Sequence, residues 1–372
     1  MRLADVLSLV EGWYPPHRAD DWDRVGLVCG DPDAQVRRIL LAVDPVLAVA
    51  GEAVALDADL LLVHHPLYLR GTSSVAATTP KGRVVHQLLT HGCALYSAHT
   101  NADAPAGGVS EAIAQALGLE EVRPLEADPV EPRDKLVFFV PVADAERVRS
   151  AVTEAGAGAI GYYDSASFTS PGEGRFRPLV GANPAIGRVG DLEVVDEVRV
   201  EVLVERRVRG RVLAALLAAH PYEEPAYDVV PLAALDDPSR GSGRIGVLAE
   251  PMTLRAFAQE AATVFPRTAG GLRVAGDPDA VVRTVALCGG AGDFLLERAL
   301  AAGADVYVTS DLRHHPASEV RERDDLALVD VAHAAAESLW LPVLRDRLVT
   351  ALDDTVEVHV STVNTDPWTF RV

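Results

Sequence analysis

The sequence predicts an α/β protein of two related halves flanking an inserted ferredoxin-like α+β domain, and three observations carry that prediction. Short apolar, strand-like runs alternate with helical stretches in the first and last thirds, as in parallel βαβ units buried on both faces. The order strand, helix, strand, His-His-Pro, helix, strand occurs in both, with the tripeptides at His64-His65-Pro66 and His314-His315-Pro316. This reads as an internal duplication whose halves face one site. The middle of the chain changes to a β-α-β-β-α-β rhythm between two polar, Pro/Gly-rich stretches, 128–132 and 236–243. The expected divisions are 1–128 for the first half, 133–235 for the insert and 243–372 for the second half.

Taken in order, Met1 to Trp13 is an amphipathic helix with Leu3, Val6, Leu7 and Val10 on one face. A strand follows at 38–43, an Ala-rich helix from Pro45 to Leu56, and a strand at Leu60–Val63 that ends on His64. A helix from Gly82 to His91 places Val84, Val85, Leu88 and Leu89 on its apolar face, and 93–98 is the third strand. Ser110 is expected to cap a helix through Leu117 that Gly118 stops. In the middle, strands are expected at 136–141, 198–204 and 227–230, with helices at 144–155 and 210–219. A Gly/Pro-rich excursion runs from Ser165 to Gly190. The last third offers a strand at 281–287, the run Gly289-Gly290-Ala291-Gly292 opening a helix Phe294 to Ala302, a strand at 304–308, a helix from Pro316 to Arg323 and a strand at 327–331.

A chain of 372 residues exceeds one ordinary core, so two or three domains are expected. The formal net charge of -20 repels phosphodiester backbones and anionic membranes, so those partners are disfavoured globally, while a local basic or metal-lined cleft still allows a small anion to bind. Cys29, Cys93 and Cys288 are far apart with no CxxC spacing, which fits small buried thiols in a reducing cytoplasm. No apolar run approaches the ~20 residues that span a bilayer, and the first residues lack the order of a signal peptide.

The chemistry-bearing residues follow predicted strands. His64, His65, Asp103, His314, His315 and His333 all lie just after one, and the carboxyl ends of parallel strands are where ligands gather. His333 and Glu337, at i and i+4 of a helix, share one face. Imidazole and carboxylate together are the ligand set of Zn²⁺, Mn²⁺ or Fe²⁺, and the reading is a dinuclear site with two divalent ions per chain. A carboxylate such as Asp103 can bridge two ions, which together lower the pKa of a shared water. His99 and Asn101 read as outer partners or turn residues, and His314 and His315 as substrate contacts or partners of Asp311. His17, His86 and His91 read as surface residues.

The motifs 22–27, 63–66, 97–103, 310–315, 333–337 and 364–368, in that order, resemble those of the NIF3-like proteins, whose members are also called GTP cyclohydrolase 1 type 2 homologues. The run 220–228 resembles the extra domain of the longer bacterial members. The resemblance covers nearly the whole chain. It implies a NIF3-like fold with a dinuclear divalent-metal centre and a hexameric ring. Carried over by motif, the metal ligands are His64, His65, Asp103, His333 and Glu337; for a hydrolase, His315 or His99 is the expected proton shuttle. Ala102, Ser310 and Arg24 depart from the residues usual in relatives without removing a ligand. The function so implied is a metal-dependent hydrolase acting on a nucleotide or related anion, GTP ring opening being one candidate. The alternative is a non-catalytic metal-binding or regulatory oligomer.

Overall fold

The computed structural model of the chain describes all residues except 324, 325 and 354, and has a mixed α/β architecture with three sheets. In order, the elements of the first third are α1 (Leu3–Trp13), β1 (Gly26–Cys29), β2 (Arg38–Ala42), α2 (Leu47–Ala55), β3 (Leu60–Val63), α3 (Pro80–Thr90), β4 (Ala94–Ser97), α4 (Thr100–Asp103), α5 (Val109–Ala116) and β5 (Glu120–Pro129). The middle holds β6 (Arg133–Pro141), α6 (Ala145–Glu154), β7 (Ser167–Phe176), β8 (Glu193–Glu205), α7 (Arg209–Ala219) and β9 (Tyr227–Pro231). The last third holds β10 (Asp236–Thr253), α8 (Leu254–Val264), β11 (Arg273–Ala275), β12 (Val281–Ala291), α9 (Leu296–Ala301), β13 (Val306–Ser310), α10 (His314–Arg323), β14 (Ala327–Val331), α11 (His333–Glu337), α12 (Trp340–Ala351) and β15 (Glu357–Val360). Two compact units result: Met1–Asp128 with Asp237–Val372, and Pro129–Asp236.

The first unit contains a five-stranded sheet, order β1-β4-β3-β2-β15, and a six-stranded sheet, order β11-β14-β13-β12-β10-β5. Successive strand residues point to opposite faces, and both faces are covered. Ile39, Leu41, Leu60 and Leu62 of the first sheet share one core with Val285, Leu287, Val306 and Val308 of the second, filled by Val6 of α1, Ile113 of α5, Phe257 of α8 and Leu344 of α12. Leu40, Leu61 and Leu95 face the other way, onto α2 and α3. Ala286, Tyr307 and Leu328 face α9 and α10. Burial on both faces is why these strands read as unbroken apolar runs.

The two sheets repeat one another in detail. β2, β3 and β4 are parallel neighbours with β1 antiparallel at the edge, and β12, β13 and β14 are parallel neighbours with β11 antiparallel at the edge. Asp59 Oδ2 accepts from the amides of Arg37 (2.7 Å) and Arg38 (2.9 Å), and Asp305 Oδ2 accepts from those of Arg283 (2.9 Å) and Thr284 (2.7 Å). The ladders pair Leu60 with Ala94 and Val306 with Ala327, so His64 and His65 correspond to Ser310 and Asp311. The two His-His-Pro tripeptides are therefore not equivalent positions. The second begins α10, four residues further on.

Other expectations shift locally. Ser110 does not cap α5. The chain enters that helix through Gly108, where a Cβ would lie 2.2 Å from Ala102 O, and Ser110 Oγ accepts from Gly289 N instead (3.3 Å). α3 starts earlier than Gly82 because Thr79 caps it (Oγ1 accepting from Gly82 N, 3.0 Å) with Pro80 in the first turn, and Leu89 is left exposed. Gly289 to Ala291 continue β12, and a 3₁₀ turn at Asp293–Leu295 precedes the shortened α9.

The second unit has one sheet, order β7-β8-β6-β9, antiparallel throughout. Val148 and Val152 of α6 and Val212 and Leu216 of α7 close its core against Phe138, Val200 and Val202. The Gly/Pro-rich excursion contains the strand β7. Pro171, Gly172 and Gly174 are tolerated there because β7 is an edge strand. Among the described residues no helix is long and apolar enough to cross a membrane, and Cys29, Cys93 and Cys288 are free thiols.

Candidate metal centre

The carboxyl ends of β2, β3 and β4 and of β13 and β14 lie in the first unit, and within two residues of each the chain carries a polar residue: Asp44, His64, His99, Asp311 and His333. His64 and His65 follow β3, His99 follows β4 and opens the single turn α4 that ends on Asp103, and His333 opens α11, which ends on Glu337. These turns bring four imidazoles together. Ring centroids lie 5.1 Å apart for His64 and His65, 5.1 Å for His64 and His99, 5.5 Å for His65 and His99, and 5.1 Å for His65 and His333.

Every one of these rings is tethered through Nδ1. His64 Nδ1 donates to Ala98 O (2.9 Å), while His65 Nδ1 meets Asp44 Oδ1 (2.7 Å), His99 Nδ1 meets Asp23 Oδ1 (2.9 Å) and His333 Nδ1 meets Asp311 Oδ2 (2.6 Å). Tethering one nitrogen to an acceptor fixes ring orientation and leaves Nε2 as the free lone pair, the arrangement that supports metal-ligating histidines. Glu337, 2 % exposed, lies among them. Its Oε1 is 2.9 Å from His333 Nε2 and 3.5 Å from His64 Nε2, and its Oε2 is 2.9 Å from His65 Nε2. Asp103 Oδ1 is 3.4 Å from His64 Nε2. Glu337 thus touches three of the imidazoles and Asp103 one.

The donor atoms fit a divalent cation. His64 Nε2 and Asp103 Oδ1 are buried without hydrogen-bond partners, a costly state for polar atoms unless something binds them. Two overlapping sets of donor atoms, His64–His65–His99 and His65–His333–Glu337, each lie within 4.8 Å. Gly290 completes the wall. At φ +69° it takes a left-handed conformation, and a Cβ there would sit 2.8 Å from Glu337 Oε1 and 3.3 Å from His333 Nε2.

Supporting residues to which the sequence reading gave no role are Asp44 and Asp23, the latter within the 22–27 motif, and the carboxyls of both stay below the usual range. Burial opposes this in both, but the His65 hydrogen bond holds Asp44 down, and His99 and Thr100 hold Asp23. Asp44 directly follows the first strand of its βαβ unit, so the strand-end pattern would have found it. Asp23 lies far from His99 in sequence and gave no separate signal. Asn101 buttresses the His99 turn, its Oδ1 accepting from His99 N (2.9 Å) and its Nδ2 donating to Tyr14 O (2.7 Å). His315 is not brought into the cluster. It sits exposed on the first turn of α10, its ring 5.2 Å from that of His314, and Asp311 serves His333 instead of either. His17, His86 and His91 are exposed.

Without a bound cation these groups hold protons. Burial disfavours charge on His65 and His333, yet the hydrogen bonds that His65 donates to Asp44 and Glu337 raise it to about 10, and those to Glu337 and Asp311 raise His333 to about 9. Burial raises Asp103 to about 7. Burial also works against ionised Glu337, but the charges and hydrogen bonds of His64, His333 and His65 keep it well below its usual value. The sign is the same for each raised group: its contribution to stability is complete below the unfolded value and is lost as pH climbs through the folded one. The metal-free chain is therefore expected to lose thermal stability as pH rises towards about 9 and 10, whereas cation affinity rises over the same range. Titration of Zn²⁺ into chelator-treated protein at pH 7, in buffers of different ionisation enthalpy, is expected to release about two to three protons per chain, from His65, His333 and part of Asp103. Zn²⁺ uptake without proton release would refute this account of the protonated donors.

Comparison with known proteins places the chain among relatives over its full length. A family model described as Duf34/NIF3 (NGG1p interacting factor 3) matches residues 1–367. A Mycobacterium tuberculosis protein named GTP cyclohydrolase 1 type 2 homolog is 50% identical over 371 residues, covering 99% of this chain and 97% of the relative. A Bacillus subtilis protein of the same name is 37% identical over 371 residues, covering 98% and 97%. Among solved structures, a Bacillus cereus protein related to NIF3 superposes with a TM-score of 0.72 at 37% identity, covering 100% of this chain and 99% of that one. A Staphylococcus aureus protein superposes with a TM-score of 0.79 at 26% identity over the same shares.

Proposed function

The chain belongs to the Duf34/NIF3 family, and from that premise and the histidine–carboxylate cluster we propose that it holds two divalent metal ions and hydrolyses a nucleotide or related small anion. The observation that carries this reading is the pair of buried, partnerless donor atoms, His64 Nε2 and Asp103 Oδ1, facing each other at 3.4 Å beside Glu337. The names of the relatives, GTP cyclohydrolase 1 type 2 homolog, support hydrolysis as the reaction class and GTP ring opening as one candidate.

In this reading His64, His65, Asp103, His333 and Glu337 hold the ions, with His99 adjoining. The ions would polarise a substrate oxygen and bring the pKa of a water towards neutrality. The protein's own part is positional and electrostatic. Asp44, Asp23 and Asp311 fix three ring planes through Nδ1, and the Ala98 carbonyl fixes the fourth. Glu337 presents one oxygen to His64 and His333 and the other to His65, which suits a carboxylate shared between two ions. His99 borders Trp22, with ring centroids 5.8 Å apart, and has its Nε2 free to accept or deliver a proton. The shuttle is assigned to His99 on this ground, and His315 drops out of it. The same reading takes the working form as a cytoplasmic homohexamer with a small anionic substrate, which the cations would attract against the formal charge of -20.

The test combines metal content with turnover. Protein reconstituted with Zn²⁺, Mn²⁺ or Fe²⁺ is expected to carry about two ions per chain and to hydrolyse at least one member of a nucleotide and phosphoester panel. Asp103→Ala is expected to abolish turnover while leaving the circular dichroism spectrum unchanged. No metal uptake under any of the three conditions would sink the proposal. Tight uptake with no turnover would leave a non-catalytic metal-binding protein.

A further inference from the structure

The second unit holds a cavity of its own, about 810 Å³, lined entirely by residues between Phe139 and Ala226. Alternation along the strands sets its floor. Phe138, Val140, Val200 and Val202 face the helices, so Phe139, Glu197 and Arg199 point to the opposite face of the sheet, into the cavity. The stretches 176–186 and 222–226 supply the other walls. Glu197 is 8% exposed, a costly setting for a carboxylate that has no cation. Its Oε1 accepts from the Tyr222 hydroxyl (2.7 Å). Its Oε2 receives no hydrogen bond among the described residues, yet it is not sealed from solvent. Only glycine at 174 leaves room for it, since a Cβ there would sit 2.2 Å from Oε2. The run 220–228 builds this arrangement. His220 Nε2 donates to Phe139 O (2.8 Å) and its Nδ1 accepts from Tyr222 N (3.0 Å). Burial lowers the pKa of His220, which favours the neutral ring that these two bonds require. Tyr222, so placed, packs on Phe176 with ring centroids 5.5 Å apart.

We propose that this cavity binds an aliphatic di- or polyamine through its ammonium groups. Charge decides the class. Arg175 is tied to Glu173 (Nε to Oε1, 2.9 Å) and Arg199 to Glu201 (3.0 Å). The walls then leave three carboxylates, Glu197, Glu223 and Glu224, against one guanidinium, Arg177. A ligand with a single positive charge leaves part of that excess unmatched, and an anion is repelled both here and by the whole chain at -20. An ammonium carries three donors and no acceptor, the complement of Glu197 Oε2. Phe176 and Tyr222 offer aromatic surface that attracts a cation, and Leu179 and Ile186 offer apolar surface for the methylenes between ammonium groups. The volume lies within the ~300–1,000 Å³ of ordinary small-ligand sites, of which a bare divalent ion would fill little. Neither the metal centre nor the hydrolase reading enters this inference.

The test is isothermal titration calorimetry of spermidine into the full chain at about 0.15 M salt, where exposed charges are screened beyond about 8 Å. Mg²⁺ at equal concentration serves as competitor, and metal content is measured on each sample. The expected result is saturable binding that survives Mg²⁺. Glu197→Gln is expected to weaken it about tenfold or more, and Phe176→Ala several-fold. Arg177→Met is expected to tighten it, because the one opposing charge is gone, and damage to the fold cannot imitate a gain. No saturable binding at millimolar spermidine would overturn the site. So would full displacement by Mg²⁺ or unchanged affinity in Glu197→Gln, either of which would mark the amine as a counterion of an acidic chain and nothing more. Should Glu197→Gln lose the native circular dichroism spectrum, the opposite signs expected of Arg177→Met and Phe176→Ala decide the matter.

Discussion

Glu337→Gln is expected to lower metal affinity by at least about 100-fold, because loss of a mere outer partner of a metal ligand already costs about 10–100-fold. The side chain is buried and touches His64, His65 and His333 through its two oxygens. Glutamine keeps the shape but removes the negative charge, and its NH₂ would face an imidazole where an acceptor is needed. Plasma mass spectrometry after dialysis reads the loss directly. A second readout separates charge from shape. Histidine titration by NMR on the metal-free protein is expected to find His65 and His333 displaced downward from about 10 and about 9, since Glu337 is a main cause of both raised values. A variant that retained wild-type metal content would remove Glu337 from the centre.

Arg244→Met is expected to destabilise the chain by about 3–5 kcal/mol, the range for removing one partner from a buried charged network. The guanidinium is 1% exposed and donates to four carbonyls: Gly241 (2.9 Å), Gly243 (2.8 Å), Ala104 (2.8 Å) and Pro105 (3.0 Å). It also lies 3.5 Å from Glu111 Oε2. Methionine fills similar space but leaves buried acceptors unpaired. Ala104 and Pro105 directly follow Asp103, so Arg244 fixes the loop through which that carboxylate enters the cluster. Denaturant unfolding in chelator measures the stability loss. Metal titration of the folded variant at low temperature is expected to reveal a further affinity loss of about 10–100-fold. Unchanged affinity would confine Arg244 to stability. Arg244→Lys is expected to recover little, because one ammonium cannot reach both pairs of carbonyls with the fork of a guanidinium.

Arg244 also marks where sequence reading ends. Nothing in Ser242-Gly243-Arg244 announces a buried cation, and two of its four carbonyl partners, Ala104 and Pro105, lie about 140 residues away. Local patterns were more legible. Leu3, Val6, Leu7 and Val10 fall on one helical face and are buried, and the run at 327–331 is β14. The proposed ligands were legible for the same reason, since the rule that strand ends carry function needs only the strand. Applied evenly, it would also have found Asp44. The repeated His-His-Pro misled because identical tripeptides are not identical positions. The ladders equate His64 and His65 with Ser310 and Asp311, and His314 and His315 begin a helix instead.

What the sequence determined by itself is the central βαβ elements of the first and last thirds, with the residue types near their strand ends, because periodicity of two or of 3.6 residues is set by near neighbours; edge and joining elements such as β1, β5, β10 and β15 carried no such local signal. What the tertiary structure decided is which of those side chains meet. His64 and Glu337 become neighbours only through sheet register and the packing of α11 between the sheets. That packing makes Glu337 the carboxylate common to three imidazoles, forces glycine at 290, and leaves His315 outside. Convergence of residues more than 200 positions apart is fixed by long-range contacts, and no local pattern encodes them.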